Sequence, residues 1–107
     1  MTTGSQLTLY ANRGQRKGGR TVIEWILDTA KEAGVHGATV VESSEGVDSR
    51  GRFHAARFFE LVDEPAVVVV VADDAAIDTL IAKLGEGGVK LFYTRAPIEF
   101  GHLGDAP

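Results

Sequence analysis

Five consecutive valines lie within the stretch Pro65–Ala72 and constrain this chain more than any other feature. β-Branched side chains lose rotamer freedom in a helix, so a run of this kind favours a strand. Successive side chains of a strand point to opposite faces of its sheet. Because no polar residue lies between Ala66 and Ala72, both faces of this strand must be apolar. The stretch therefore predicts a central strand that is covered above and below.

A capping box precedes the first predicted helix. Thr21 and Glu24 have the spacing at which each side chain satisfies the backbone amide of the other residue. We therefore expect a helix that begins at Val22 and ends at Gly34 in a left-handed conformation. Helical spacing places Trp25 off the apolar face, on the polar side. That apolar face is predicted to contain Val22, Ile23, Ile26, Leu27, Ala30 and Ala33.

The second predicted helix follows the valine strand directly. Asp73 or Asp74 is expected to cap its first turn, and the glycine-rich segment 85–88 is expected to end it. Its apolar positions recur at i, i+3, i+4 and i+7, which is typical of an amphipathic helix. These positions are Ile77, Leu80, Ile81 and Leu84.

Three further strands are predicted at residues 7–11, 37–42 and 89–95, and Ala96-Pro97 is expected to break the last of them. The remaining segments are interpreted as irregular. They are a basic, glycine-rich loop at residues 12–20 with no regular element, a long loop at 43–64 and a frayed tail at 101–107.

The element order β-α-β-β-α-β predicts a single domain over residues 1–107 with a ferredoxin-like α+β fold. Right-handed crossovers place both helices on one face of a four-stranded antiparallel sheet, with the first and third strands central. The other face of the valine strand then has no cover, although each exposed valine forgoes about 1.5 kcal/mol of burial. We therefore expect a homo-oligomer, either a dimer or a trimer, that packs sheet faces together. The alternative is a monomer whose tail crosses that face.

Composition excludes several function classes. The chain has no cysteine, and its three histidines, His36, His54 and His102, have no metal-ligand spacing. No serine or threonine has a recognisable catalytic set around it. A net charge of −4 argues against nucleic-acid binding, and no apolar run is long enough to insert in a membrane. Without a secretory signal at residues 1–6, a cytoplasmic location is expected.

Three segments are candidates for binding an anion. One is the basic loop before the first helix, with Arg13, Arg16, Lys17 and Arg20, whose alternative interpretation is a solvated loop. Another is a basic cluster in the long loop, formed by Arg50, Arg52, His54 and Arg57. The third is the glycine-rich turn from Gly85 to Lys90, whose alternative interpretation is an ordinary helix end.

Several stretches together resemble the PII-like signalling proteins, and within them the group labelled domain of unknown function 190. The similarity spans nearly the whole chain, and the stretch 37–40 and the position of the long loop are its more specific features. The stretches that carry it are Leu7-Thr8-Leu9-Tyr10, residues 33–40, Ser49-Arg50, His54-Ala55 and the strand from Pro65 to Val71.

This resemblance implies a homotrimer with clefts between subunits, where such proteins bind adenine nucleotides or other small effectors. It implies that the start of the long loop and the glycine-rich turn form each cleft. Where the group usually has an Arg-Gly pair, this chain has residues 42–47, which place negative charge at the start of the loop. The candidate ligand contacts are Gly46, Arg50, His54, Gly87, Gly88 and Lys90, with no catalytic residue and no metal ligand.

We predict from these features a non-catalytic sensor that binds a small anionic effector, with an adenine nucleotide as one candidate. The long loop would then act on a transporter or an enzyme. One alternative is a small enzyme that uses Arg13 or His54 with a carboxylate. Another is an interaction module that docks a protein through the aromatic segment 53–59. RNA binding is not expected, because the first and third strands lack paired exposed aromatics.

Overall fold

The computed structural model describes residues 2–35, 37–42 and 65–104, which form a four-stranded antiparallel sheet with two helices on one face. A short two-stranded ribbon lies beside it. The elements in chain order are β1 (Thr2–Asn12), β2 (Arg16–Lys17), β3 (Arg20–Thr21), α1 (Val22–Glu32), β4 (Ala38–Glu42), β5 (Pro65–Ala72), α2 (Asp74–Gly85) and β6 (Phe92–Phe100).

The strand order β4-β5-β1-β6 confirms the ferredoxin-like α+β fold. β5, which contains the valine run, and β1 are the central strands, as the crossovers predict. They pair antiparallel, with Leu9 opposite Val68 and Tyr10 opposite Val67. Since directly opposite residues share a face, this register aligns the apolar positions of the two strands.

Several strand boundaries differ from the sequence predictions. β1 begins at Thr2 rather than at residue 7, and β6 begins at Phe92 rather than at residue 89. β6 also continues through Pro97, so the predicted break there was wrong. β6 is an edge strand, with a ladder on one side only, and such strands tolerate a proline that a central strand would not.

The basic loop does contain a regular element, contrary to the prediction. β2 and β3 pair antiparallel, with Lys17 opposite Arg20. Gly18 and Gly19 join them at φ values of 58° and 87°. Two consecutive positive φ angles are what a two-residue hairpin turn requires, because they match the twist of the flanking strands. The Gly-Gly pair was therefore a hairpin signal.

Both helices begin with the predicted side-chain caps. The Thr21 hydroxyl accepts from the Glu24 amide and the Glu24 carboxylate accepts from the Thr21 amide, each at 3.1 Å. Asp73 caps α2 by accepting from the amide of Ala76 at 2.8 Å. Gly34, at φ 91°, follows the end of α1 in the left-handed conformation.

The core lies between the helices and one face of the sheet. β1 and β5 contribute Leu7, Leu9, Val68 and Val70, which are at most 2% exposed. The helices bury apolar side chains against them. Those that are fully buried are Val22, Ile26, Ile77 and Leu80.

The buried face of α1 differs from the prediction, because Trp25 belongs to it. Trp25 is 8% exposed and Thr29 is also buried, whereas Ile23 and Leu27 lie at the edge of the core. The Thr29 hydroxyl donates to the Trp25 carbonyl at 2.7 Å, so its burial leaves no unsatisfied donor. The helix is thus rotated about its axis relative to the predicted apolar face.

The opposite sheet face, here called the open face, remains partly exposed in the single chain. Alternate residues of β5 on this face, Val67, Val69 and Val71, are only half-buried. Tyr10 and Phe92 lie in the same row as Val67, with ring centroids 5.4 Å apart. Phe92 and Val41, at the two sides of this row, are 47% and 45% exposed. The valine strand is therefore fully covered on its helix side only.

We expect Thr21→Ala to lower the free energy of unfolding by about 1 kcal/mol, because it removes the hydroxyl that caps α1. Thr79→Ala is the matched control. The Thr79 hydroxyl donates back to the Ala75 carbonyl within α2 at 3.0 Å, and alanine is the better helix former. Urea unfolding of both variants measures the difference. Equal effects from the two substitutions would contradict the role of the cap.

Candidate functional site

The glycine-rich turn after α2 begins as an ordinary helix end. The Glu86 amide donates to the Lys83 carbonyl at 3.2 Å, and the Gly87 amide donates to the Leu84 carbonyl at 3.1 Å. Gly88 then adopts φ 77°, which reverses the chain. Among the described residues no acceptor takes the Gly88 amide. The Gly88 amide is therefore available to a ligand.

Lys17, at the end of β2, holds this turn from the side of the ribbon. Its ammonium donates to the Gly87 carbonyl at 2.7 Å across 70 residues of sequence. The same nitrogen lies 5.1 Å from the centre of the Trp25 ring, within the range of a cation–π interaction. Lys17, Trp25 and Gly87 thus join the ribbon, α1 and the turn after α2.

Gly87 lies too close to the Trp25 ring to carry a side chain. A Cβ atom at this position would lie 2.1 Å from Cζ2 of Trp25, far inside van der Waals contact. The turn can approach the indole this closely only without a side chain. The sequence predicts Gly87 as a ligand contact and places Trp25 on the polar side of α1, so the close packing of these two residues was not predicted.

The other basic residues of the predicted anion site have partners within the chain. Arg13 pairs with Glu42 at 3.6 Å, Arg16 donates to the Gly19 carbonyl at 2.8 Å, and Arg20 pairs with Asp28. The capping box occupies the start of α1. This arrangement favours the structural interpretation of the loop. The Arg13–Glu42 pair also offsets part of the negative charge at the start of the long loop.

The candidate ligand contacts divide into two groups. Gly87, Gly88 and Lys90 lie in or directly after the turn, and Lys90 is exposed. Gly46, Arg50 and His54 lie outside the described residues, as does the aromatic segment 53–59. The structure also brings Lys17 and Trp25 to the turn, and the sequence did not predict this.

A cavity of about 120 Å³ lies beside the turn, between α2 and β6. Its lining is apolar except for Tyr93 and backbone atoms, so it holds no carboxylate, imidazole or amine for acid–base work. Such a lining does not favour the enzyme alternative. The lining residues are Leu9, Ile81, Leu84, Gly85, Val89, Leu91 and Tyr93.

Arg95 forms the most connected polar cluster of the described residues, at the opposite end of α2. It donates to Asp78 at 2.7 Å and to the Ser5 hydroxyl at 3.0 Å, and pairs with Asp74 at 3.4 Å. Ser5 is 4% exposed and donates to Asp74 at 2.6 Å. The hydrogen bond to Asp78 raises the pKa of Arg95, against the opposing effect of desolvation. This cluster joins β1, β6 and α2, and the charge of Arg95 is paired within it by Asp74 and Asp78.

Within the described part of the chain, no group of three or more histidine, aspartate or glutamate side chains could hold a metal ion. None of the helices described here has the length and apolar character needed to cross a membrane.

The family model DUF190, described as "Uncharacterized ACR", matches residues 4–99 of this chain. No curated protein matches the chain. The fold is similar to a putative PII-like signaling protein from Thermus thermophilus, with a TM-score of 0.59 and 11% identity over 92% of this chain and 90% of that one.

The fold is also similar to CPII, a nitrogen regulatory PII-like protein from Thiomonas intermedia. Its structure bound to ADP, AMP and bicarbonate has a TM-score of 0.61 and 14% identity, covering 94% of this chain and 96% of CPII. Its apo form has a TM-score of 0.54 and 12% identity, covering 91% and 92%. At these identities the comparison with solved structures concerns the fold.

We expect Gly87→Ala to destabilise the protein by about 1–3 kcal/mol, because the new methyl group overlaps the Trp25 ring. Gly85→Ala is the matched control, since a Cβ there meets nothing within 4 Å and its φ is not positive. We expect it to be neutral or stabilising by up to about 1 kcal/mol. Urea unfolding followed by Trp25 fluorescence measures both. A Gly87→Ala variant as stable as the wild type would contradict the close packing.

Proposed function

This chain belongs to the DUF190 family within the PII-like superfamily, and on that premise we propose that it is a cytoplasmic, non-catalytic regulatory protein whose effector is an adenine nucleotide. The observation that carries the proposal is the shared fold with CPII over 94% of this chain, since CPII binds ADP and AMP. The ligand would lie in clefts between subunits. Its binding would change how segment 43–64 contacts a transporter or an enzyme.

The proposed ligand contacts remain those of the sequence analysis. Gly88 supports this assignment through its available amide, and exposed Lys90 through a charge that can reach a phosphate. Gly87 retains a role as backbone, because its missing side chain lets the turn pack on Trp25. Gly46, Arg50 and His54 are proposed as contacts from the sequence alone.

We also propose that the working unit is a homotrimer that packs the open faces together. The support is the half-buried state of Val67, Val69 and Val71 and the exposure of Phe92. Apolar surface of this kind, contiguous across a sheet, is uncommon on a monomer. Association would recover the burial that a single chain cannot supply.

We expect calorimetric titration to show binding of ADP or AMP to the wild type, tested beside cyclic nucleotides, bicarbonate and divalent ions. Lys90→Met should weaken nucleotide binding by about tenfold, because it removes one charged phosphate contact. Lys83→Met is the control, since it removes the same charge from the last turn of α2. No binding across the panel by a folded trimer would refute the sensor role.

We expect Val69→Lys to dissociate the trimer, because it places a charge at the centre of the open face, between Thr8 and Thr39. Ala82→Lys, on the exposed side of α2, adds the same charge and should leave the assembly intact. Light scattering at micromolar concentration should give about three times 11.4 kDa for the wild type. A monomeric wild type would rule out the proposed assembly.

A further inference from the structure

Lys17 is an unusual cation in this chain, because it is half-buried yet forms no ion pair with any described carboxylate. Its partners are the Gly87 carbonyl at 2.7 Å and the face of the Trp25 ring at 5.1 Å. Partial burial of a charge without a counter-ion costs free energy unless other contacts compensate for the lost water. What it contacts is the turn that we propose as the ligand site.

The geometry of the peptide group links this contact to the ligand side of the turn. The peptide between Gly87 and Gly88 is planar and trans, so its C=O and N–H bonds point in opposite directions. Lys17 holds the carbonyl towards the ribbon. The Gly88 amide must then point away from the ribbon, and it has no acceptor among the described residues.

The positive charge of Lys17 also strengthens the Gly88 amide as a donor. A cation at the carbonyl oxygen polarises the peptide and makes its N–H a stronger donor, because hydrogen bonds in a chain reinforce one another. The Trp25 ring limits how far the turn can move, since it lies against the bare Cα of Gly87. Orientation, polarisation and confinement thus act on the same amide.

We propose that Lys17 is the positioning residue of the glycine turn: through the Gly87 carbonyl it aims the Gly88 amide at the phosphate of an anionic ligand. This inference rests on the proposed function, because it assigns a role within the same site. Lys17 does not touch the ligand itself, since it lies on the carbonyl side of the peptide. Its effect on affinity is therefore transmitted by one peptide group.

The test compares two substitutions in the same ribbon. Lys17→Met keeps the aliphatic stem and removes the ammonium. Arg16→Met removes the same charge from the preceding residue, whose guanidinium donates to the Gly19 carbonyl of the hairpin and to no other described residue. Calorimetry with ADP, well below the thermal midpoint of each variant, measures the affinity of folded protein. A role in stability alone would leave that affinity unchanged.

We expect Lys17→Met to weaken ADP binding by about tenfold, the loss of one charged hydrogen bond, and Arg16→Met by less than about twofold. Lys17→Arg should restore most of the affinity, since it keeps a charged donor. In the ligand-free protein, the ¹⁵N–¹H resonance of Gly88 should shift in Lys17→Met and stay in place in Arg16→Met.

Equal losses in Lys17→Met and Arg16→Met would overturn the inference, since the cause would then be net charge. So would Lys17→Met affinity within about twofold of the wild type, while the proposed function would stand. A wild type that binds no ADP would overturn the proposed function and the inference with it. If Lys17→Met does not fold, Lys17→Gln removes the charge and is judged by the same thresholds.

Discussion

The central strand β5 is apolar on both sides, and the two helices among the described residues cover only one face of its sheet. The central strand β5 presents valines to both sides, fully buried under the helices and half-buried on the other side. Right-handed crossovers place α1 and α2 on the same face, so neither of these helices can cover the other one. The proposed assembly through the open face would supply the missing cover.

On the helix side, one contact connects parts of the chain that are distant in sequence. Trp25 lies between the core and the turn after α2, and Lys17 closes the contact from the ribbon. The Gly18-Gly19 hairpin makes this possible, because it turns the chain so that Lys17 and Arg20 stand opposite each other. Elements that appear irregular in the sequence thereby determine where the proposed ligand site lies.

What the basic residues near the start of α1 do depends on their partners within the chain and not on how many of them there are. Arg13, Arg16 and Arg20 are engaged by Glu42, the hairpin and Asp28, and Lys17 by the turn. A cluster that suggested an anion site is therefore mostly structural. Charge composition alone could not reveal this, because pairing depends on which side chains the fold brings within hydrogen-bonding distance.

Much of the fold could be predicted from local sequence, because the decisive signals act over short distances. The capping box at Thr21, the cap at Asp73 and the valine run each determine an element through neighbouring residues. Their order then determines the topology through the handedness of crossovers. Of the candidate site, the position of Gly87 and Gly88 in a turn after α2 followed in the same way.

Tertiary structure alone decided the burial of Trp25, the continuation of β6 through Pro97 and the contact of Lys17 with the turn after α2. Each depends on a partner far away in sequence: the indole on the space left by Gly87, the proline on the position of β6 at the edge of the sheet, and the ammonium on the Gly87 carbonyl. Periodicity describes one helix or strand at a time. It therefore cannot predict that Trp25 packs against a position in another part of the chain, Gly87, that has no side chain.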